Sequence, residues 1–186
     1  MSSVSQKIGG SLSKQSYIRK MFEEGNRLKA IHGADKVFDF SLGNPNLEPP
    51  EELQAALRDL VNNPIPGMHG YMPNAGYPET RAAVAAFLSE EQGVALKGDH
   101  VVMTVGAGGA LNAVFKAVLD PGDEVLTPSP GFVEYDFYVD NHGGVCVHVP
   151  TAPDFDLDLD AIAGGINAKT RIVLINSPNN PTGVVY

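Results

Sequence analysis

The feature that most constrains the fold is a regular alternation of short apolar runs and helical segments beyond residue 100. The apolar runs, rich in β-branched residues, lie at 101–105 (VVMTV), 124–127 (EVLT), 145–149 (VCVHV) and 171–176 (RIVLIN). Segments with helical spacing separate them, namely ALNAVFKAVLD, GFVEYDFYVDNHG and LDLDAIAGGI. Strands joined by helices form right-handed crossovers in a mostly parallel sheet with helices on both faces. The sequence therefore predicts an α/β protein.

Residues 1–100 lack this alternation and have a mainly helical pattern. Apolar residues recur at helical spacing between Ser13 and His32, after the Pro49-Pro50 pair, and in ETRAAVAAFLSEEQG, which Gly93 would end. An alternating run at 37–42 (VFDFSL) predicts one short strand. GNPNLEPP and PIPGMHGYMPNAGYP predict loops, because glycine and proline interrupt regular structure. We expect a helical N-terminal segment that precedes the sheet.

Composition excludes several kinds of protein. Hydrophobic residues make up 43% and charged residues 19% of 186 residues, which is typical of one globular domain with a core. No apolar run approaches the roughly 20 residues that span a bilayer, and the first residues resemble no signal peptide, so we expect a cytoplasmic protein. A net charge of -9 disfavours a nucleic-acid partner. The single cysteine, Cys146, is expected to pack as an inert apolar residue in a strand.

Three loops are expected at the carboxyl edge of the sheet, where ligands bind in such folds. They are GAGG (106–109), PSPGF (128–132) and SPNNPTG (177–183). GAGG joins a strand to a helix, so its N–H groups suit a phosphate, although such turns also serve close packing alone. A dinucleotide fingerprint would need glycine at Leu111, and no Gly-Lys-Ser/Thr follows. Taken alone, SPNNPTG is typical of a turn.

Taken together and in order, TVGAGGAL, DPGDEVLTPSPGF and INSPNNPTG resemble the class I and II aminotransferases of pyridoxal 5'-phosphate (PLP) fold type I. The resemblance runs from about Phe38 to Val185. It implies an incomplete three-layer α/β/α large domain, with residues 1–48 as an N-terminal arm and part of the small domain. Residues 49–186 would be the N-terminal part of the PLP-binding domain. The implied reaction transfers an amino group between an amino acid and a 2-oxo acid.

The resemblance assigns roles to residues of each loop. The N–H groups of Ala107 and Gly108 would hold the cofactor phosphate, with Gly106 allowing the turn. Phe132 occupies the position of the aromatic residue that stacks on the pyridine ring. Without the resemblance, its sequence pattern indicates an aromatic residue of the core. Asn180 occupies the position of the asparagine that donates to the ring oxygen, close to the substrate.

Two further positions lie in the N-terminal loops. Tyr71 matches a tyrosine that reaches the cofactor phosphate of the partner subunit in a homodimer, and the alternative is a loop tyrosine that packs locally. Gly43 matches a glycine beside the substrate carboxylate, where a side chain would collide with substrate.

The resemblance also implies a lysine that forms a Schiff base with the cofactor, and this chain has none in the required place. Its eight lysines lie in the N-terminal region, in polar connections or on a solvated helix face: Lys7, Lys14, Lys20, Lys29, Lys36, Lys97, Lys116 and Lys169. We therefore expect no catalytic residue here and an inactive, unstable chain when it is alone. The five histidines follow no metal-enzyme motif, and His148 is interpreted as structural. Two alternatives are a non-catalytic truncated or partner-dependent product, and another fold type I enzyme such as a lyase or decarboxylase.

Overall fold

The structure, a computed structural model, describes residues 3–13, 17–40, 43 and 47–186. It divides the chain into two units, one that ends at His69 and one that comprises Gly70–Tyr186. The predicted boundary between residues 48 and 49 concerns the domains of a complete aminotransferase and stays a prediction. Among the described residues, none of the helices combines the length and the hydrophobicity of a membrane-spanning segment.

The first unit is helical, as predicted. It contains α1 (Gln6–Ser13), α2 (Tyr17–His32), a 3-10 turn (Ala34–Lys36) and α3 (Glu51–Asn62). Residues 37–40 lie against α2, where Lys29 Nζ donates to Asp39 Oδ2 at 2.7 Å. Gly25 permits this approach, because a Cβ there would lie 2.7 Å from Asp39 Oδ2.

The strand predicted at 37–42 is wrong for residues 37–40, which are extended but belong to no sheet. Residues 41 and 42 lie outside the described part. Alternation favours a strand only where a neighbouring strand supplies hydrogen bonds, and no described residue of this unit does so. Phe38 and Phe40 are instead 85% and 94% exposed.

The second unit begins with α4 (Pro78–Gln92), which starts with proline and ends before Gly93 in the left-handed conformation, φ 66°. Its last turn is held by Ser89, whose hydroxyl donates to Ala85 O at 2.6 Å and accepts from Leu96 N at 2.9 Å. A 3-10 turn, Gly98–His100, follows.

The strand predicted at 101–105 is also wrong, since this segment is extended without pairing to any strand in the described residues. Its backbone is bound by other groups. Arg81 Nε donates to Val101 O at 2.7 Å, and Met103 N donates to Ala75 O at 2.9 Å. The segment then leads directly into α5 (Gly106–Val118).

The remaining predicted strands form a parallel sheet in the order β2-β1-β3. The strands are β1 (Glu124–Ser129), β2 (Val145–Pro150) and β3 (Thr170–Val173). Helix α6 (Glu134–Asn141) connects β1 to β2, and α7 (Leu159–Gly165) connects β2 to β3. The predicted α/β class is therefore confirmed.

Helices cover both faces of the sheet. On one face, Phe115 of α5 and Val139 of α6 pack with Val125 of the central strand, and all three are fully buried. On the other face, α7 approaches so closely that a Cβ on Gly165 would lie 2.9 Å from Leu126 Cδ2. This arrangement places the carboxyl ends of β1 and β3 at one edge of the sheet, where the chain continues into the predicted ligand loops 128–132 and 177–183. The third predicted loop, 106–109, follows the unpaired segment 101–105 instead.

Candidate cofactor site

The first turn of α5 presents backbone N–H groups that have no acceptor within the helix. Gly106, at φ 65°, donates to Thr104 O at 3.1 Å, and the first regular helical bond runs from Gly109 N to Val105 O at 3.3 Å. The N–H groups of Ala107 and Gly108 lie between these two donors. Val105, at the N-cap, carries no side-chain acceptor. An uncapped helix start with exposed N–H donors and a positive dipole end attracts an anion.

The loop after β1 carries Phe132 immediately before α6. A Cβ on Gly131 would lie 2.7 Å from Pro128 O, so this tight turn requires glycine. The Phe132 ring makes a T-shaped contact with Tyr135, at 5.4 Å between centroids and 81° between planes. Such a contact engages at most one face of Phe132, which is half-buried. The prediction that Phe132 offers a face to the cofactor ring stays open.

The loop after β3 is anchored by Asn179, which is 6% exposed. Its Nδ2 donates to Pro130 O at 3.1 Å and to Thr182 Oγ1 at 3.0 Å. Its backbone N–H donates to Val184 O at 2.8 Å, and its carbonyl accepts from Gly183 N at 2.7 Å. These bonds hold the 177–183 loop against the loop that leads to Phe132.

Asn180, the predicted ring-oxygen donor, follows this anchor and has the opposite surroundings. Its side chain is exposed, and no described residue hydrogen-bonds its amide. The structure thus distinguishes two adjacent asparagines. The Asn179 amide is used in hydrogen bonds within the protein, whereas the Asn180 amide is exposed and could bind a ligand.

Helix α6 connects the α5 terminus to the other two loops. A Cβ on Gly108 would lie 3.1 Å from the Tyr138 hydroxyl of α6, so the first turn of α5 packs closely on that helix. Asn112 Nδ2 donates to Gly108 O at 2.8 Å and Asn112 Oδ1 lies 3.1 Å from His142 Nε2, which secures the contact further along. The three loops are therefore connected through α6 and Asn179.

The two remaining predicted positions are solvent-exposed. Tyr71 shows a fully exposed side chain, which leaves its ring free of local packing. Gly43 is exposed, and a Cβ built there meets nothing within 4 Å. Their proposed roles require a partner subunit and a substrate, respectively, and both stay predictions.

Sequence reasoning missed Asn179, Gly131 and Tyr138. Asn179 and Gly131 lie inside the predicted ligand loops 177–183 and 128–132, but their roles depend on Pro130 O and Pro128 O. Tyr138 carries no motif signal, and only the packing of α5 on α6 reveals it.

Comparison with known proteins identifies the family. The family model described as aminotransferase class I and II matches residues 35–186. The chain belongs to the class I and II aminotransferases. Members of this family are PLP-dependent enzymes, and this agrees with the resemblance of the three loops.

Individual relatives support the same family. The chain is 41% identical over 156 residues to a probable aspartate/prephenate aminotransferase of Thermus aquaticus, covering 83% of this chain and 40% of that protein. It superposes on a crystal structure of an aminotransferase from Eubacterium rectale with a TM-score of 0.93 and 40% identity, covering 100% of this chain and 48% of that one. The aspartate aminotransferase of Thermus thermophilus with maleate gives a TM-score of 0.84 at 34% identity, with 100% and 47% coverage. The chain therefore spans less than half the length of these relatives.

Proposed function

We propose that this chain is the N-terminal part of a PLP-dependent aminotransferase that transfers an amino group between an amino acid and a 2-oxo acid. The observation that carries the proposal is the uncapped start of α5, connected through α6 and Asn179 to the loop that carries Phe132 and the loop that carries Asn180. In this proposal residues 1–48 form the N-terminal arm and part of the small domain. Residues 49–186 form the first part of the PLP-binding domain.

The available groups fit the parts of PLP. The N–H groups of Ala107 and Gly108 would hold the phosphate through charge-assisted hydrogen bonds. Phe132 would pack against the apolar face of the ring. The amide of Asn180 would donate to the ring oxygen and support its negative charge. When bound, PLP withdraws electrons from the α-carbon of the amino acid, and the protein orients the reacting groups.

Proton transfer at the substrate requires a lysine, and we assign that lysine to a part of the protein beyond residue 186. Lys116, the lysine that lies within α5, is exposed near the other end of that helix. The 186-residue chain is therefore proposed to bind parts of the cofactor without turning over substrate. Gly43 and Asn180 are the positions on this chain that we assign to the substrate side of the site.

Aspartate is the amino donor to test first, because several relatives are named aspartate aminotransferases. The experiment incubates the full-length protein and PLP with ¹⁵N-labelled aspartate and a 2-oxo acid. The expected result is PLP-dependent appearance of ¹⁵N in the amino acid derived from the 2-oxo acid. Release of carbon dioxide or ammonia instead would favour a decarboxylase or lyase, and no reaction with any amino donor would favour a non-catalytic protein.

A further inference from the structure

Strand β2 places two metal-binding side chains on one face. Cys146 and His148 are two residues apart, and side chains at that spacing point to the same side of a strand. Cys146 packs against the core formed by α5, α6 and β1, which shows that this face is directed towards α6. His148 lies further along the strand and is about half exposed.

Helix α6 supplies a third side chain of different chemistry. The Asp136 Oδ1 atom lies 2.8 Å from His148 Nε2. The Cys146 Sγ atom, a carboxylate oxygen of Asp136 and a ring nitrogen of His148 all lie within 4.8 Å of one another. Ligands around a tetrahedral zinc ion are about 3.3–3.8 Å apart, given bonds of about 2.0–2.3 Å. Small side-chain rotations at two half-exposed positions would bring the three atoms to that spacing.

Charge around the cluster favours a cation. Helix α6 has the sequence EYDFYVDN, which contains three acidic residues and no Lys or Arg. The described residues place no salt bridge from a Lys or Arg onto Asp136. A carboxylate, an imidazole and a thiol form a donor set that selects a borderline-soft divalent cation over magnesium or calcium, which prefer oxygen ligands.

We propose that Asp136, Cys146 and His148 bind one Zn²⁺ ion, with water as the fourth ligand. Binding breaks the Cys146 S–H bond, forms an S–Zn bond and releases one proton to solvent, without any change in oxidation state. The ion would cross-link α6 to β2. Because α6 begins two residues after Phe132, the cross-link would stabilise the end of the 128–132 loop that carries Phe132. The proposal does not depend on the aminotransferase assignment.

The alternative is a hydrogen-bonded cluster without a metal. Burial, together with the neighbouring Asp136, raises the pKa of the Cys146 thiol to about 12, so the thiol keeps its proton at neutral pH when no metal is present. The two arrangements differ in one measurable respect, which is whether a sulfur–metal bond forms when a divalent cation is added.

Cobalt(II) is the probe, because it occupies zinc sites and a thiolate–cobalt bond gives a charge-transfer absorption band. The full-length protein, stripped of metal, is titrated with Co²⁺, and the spectrum without cobalt is subtracted. We expect one Co²⁺ per chain, a thiolate–cobalt band, and loss of that band when Zn²⁺ is added. Binding without the band, or no binding, would overturn the proposal.

Variants locate the site. Cys146→Ser should abolish the band, and His148→Gln, at an exposed position that folding tolerates, should weaken Co²⁺ binding by about tenfold or more. The matched control is His142→Gln, which removes a histidine beside the other end of α6 that contacts Asn112. It should bind Co²⁺ as the wild type does. Equal affinity of His148→Gln and wild type would refute the assignment.

Discussion

Asn179 and Asn180 are neighbours in the same loop with different surroundings. The buried amide of Asn179 satisfies Pro130 O and Thr182 Oγ1, whereas the exposed amide of Asn180 has no partner among the described residues. Removing a buried hydrogen-bonding group leaves its former partners unsatisfied, which is costly. Removing an exposed amide has little effect on folding.

This difference gives a paired prediction in the full-length protein. Asn179→Ala should lower the free energy of unfolding by about 1–3 kcal/mol, as measured by denaturant titration. Asn180→Ala should change it by less than about 0.5 kcal/mol but should weaken PLP binding, because the ring oxygen loses a donor. A large loss of stability in Asn180→Ala would contradict this prediction, because it would show that the Asn180 side chain stabilises the fold.

The resemblance marks Asn180 as the asparagine that faces the ligand, and this role stays a prediction, with which its exposed amide is compatible. The role of Asn179 was not accessible from sequence. It depends on the carbonyl of Pro130, which is 49 residues away in the chain. Asp136 and Cys146 illustrate the same limit, since only the packing of α6 on β2 brings a carboxylate to a strand cysteine.

At the scale of elements, sequence patterns predicted helices better than strands. A helix satisfies its hydrogen bonds internally, so α2, α4 and α6 could be recognised from spacing and end signals. A strand requires a neighbour that local sequence does not specify. The runs at 37–42 and 101–105 have strand-like patterns, but the described residues provide no neighbour for 37–40 or 101–105. The strand predictions were correct for β1, β2 and β3, because β1 pairs with both of the other strands.

The contact between α7 and the sheet allows a prediction with an adjacent control. Gly165→Ala should destabilise the protein by about 1–3 kcal/mol through overpacking, because its Cβ would lie 2.9 Å from Leu126 Cδ2 and 3.0 Å from Val149 Cγ1. A Cβ on Gly164 would have no atom within 4 Å. Gly164→Ala should therefore leave the free energy of unfolding unchanged or raise it by up to about 1 kcal/mol. Denaturant unfolding of both variants would measure this. Equal effects would contradict the close packing of α7 on β1 and β2.

For the whole molecule, the chain contains a sheet whose outer strands, β2 and β3, each have one neighbour among the described residues. Large apolar side chains are also exposed, including Phe87 at 64%, Val102 at 64% and Val105 at 94%. Unpaired strand edges and exposed apolar surface promote aggregation.

We therefore predict that the 186-residue chain expressed alone aggregates or unfolds without a sharp transition, whereas the full-length protein melts cooperatively. Calorimetry and analytical sedimentation of both proteins would compare them. A monomeric 186-residue chain with a sharp cooperative melt would contradict this expectation.

Tyr71 provides a prediction about assembly. If its hydroxyl contacts the cofactor phosphate of a partner subunit, Tyr71→Phe should weaken PLP binding by the full-length dimer about tenfold, as expected for a hydrogen bond to a charged group. Tyr77→Phe, at the N-cap of α4, is the control and should bind PLP normally. A monomeric full-length protein, or unchanged PLP affinity of the Tyr71 variant, would exclude the role across the interface.

The phosphate of PLP is proposed to lie at the first turn of α5, held by backbone N–H groups. Ala107→Pro removes one of these donors at a helical position that tolerates proline. Ala107→Ser keeps the donor and serves as the control. The decisive measurement is the PLP dissociation constant of the full-length protein and both variants, with unfolding followed in parallel. We predict at least about tenfold weaker PLP binding for the proline variant alone, with its stability retained. Equal PLP affinity in all three proteins would contradict phosphate binding by these N–H groups.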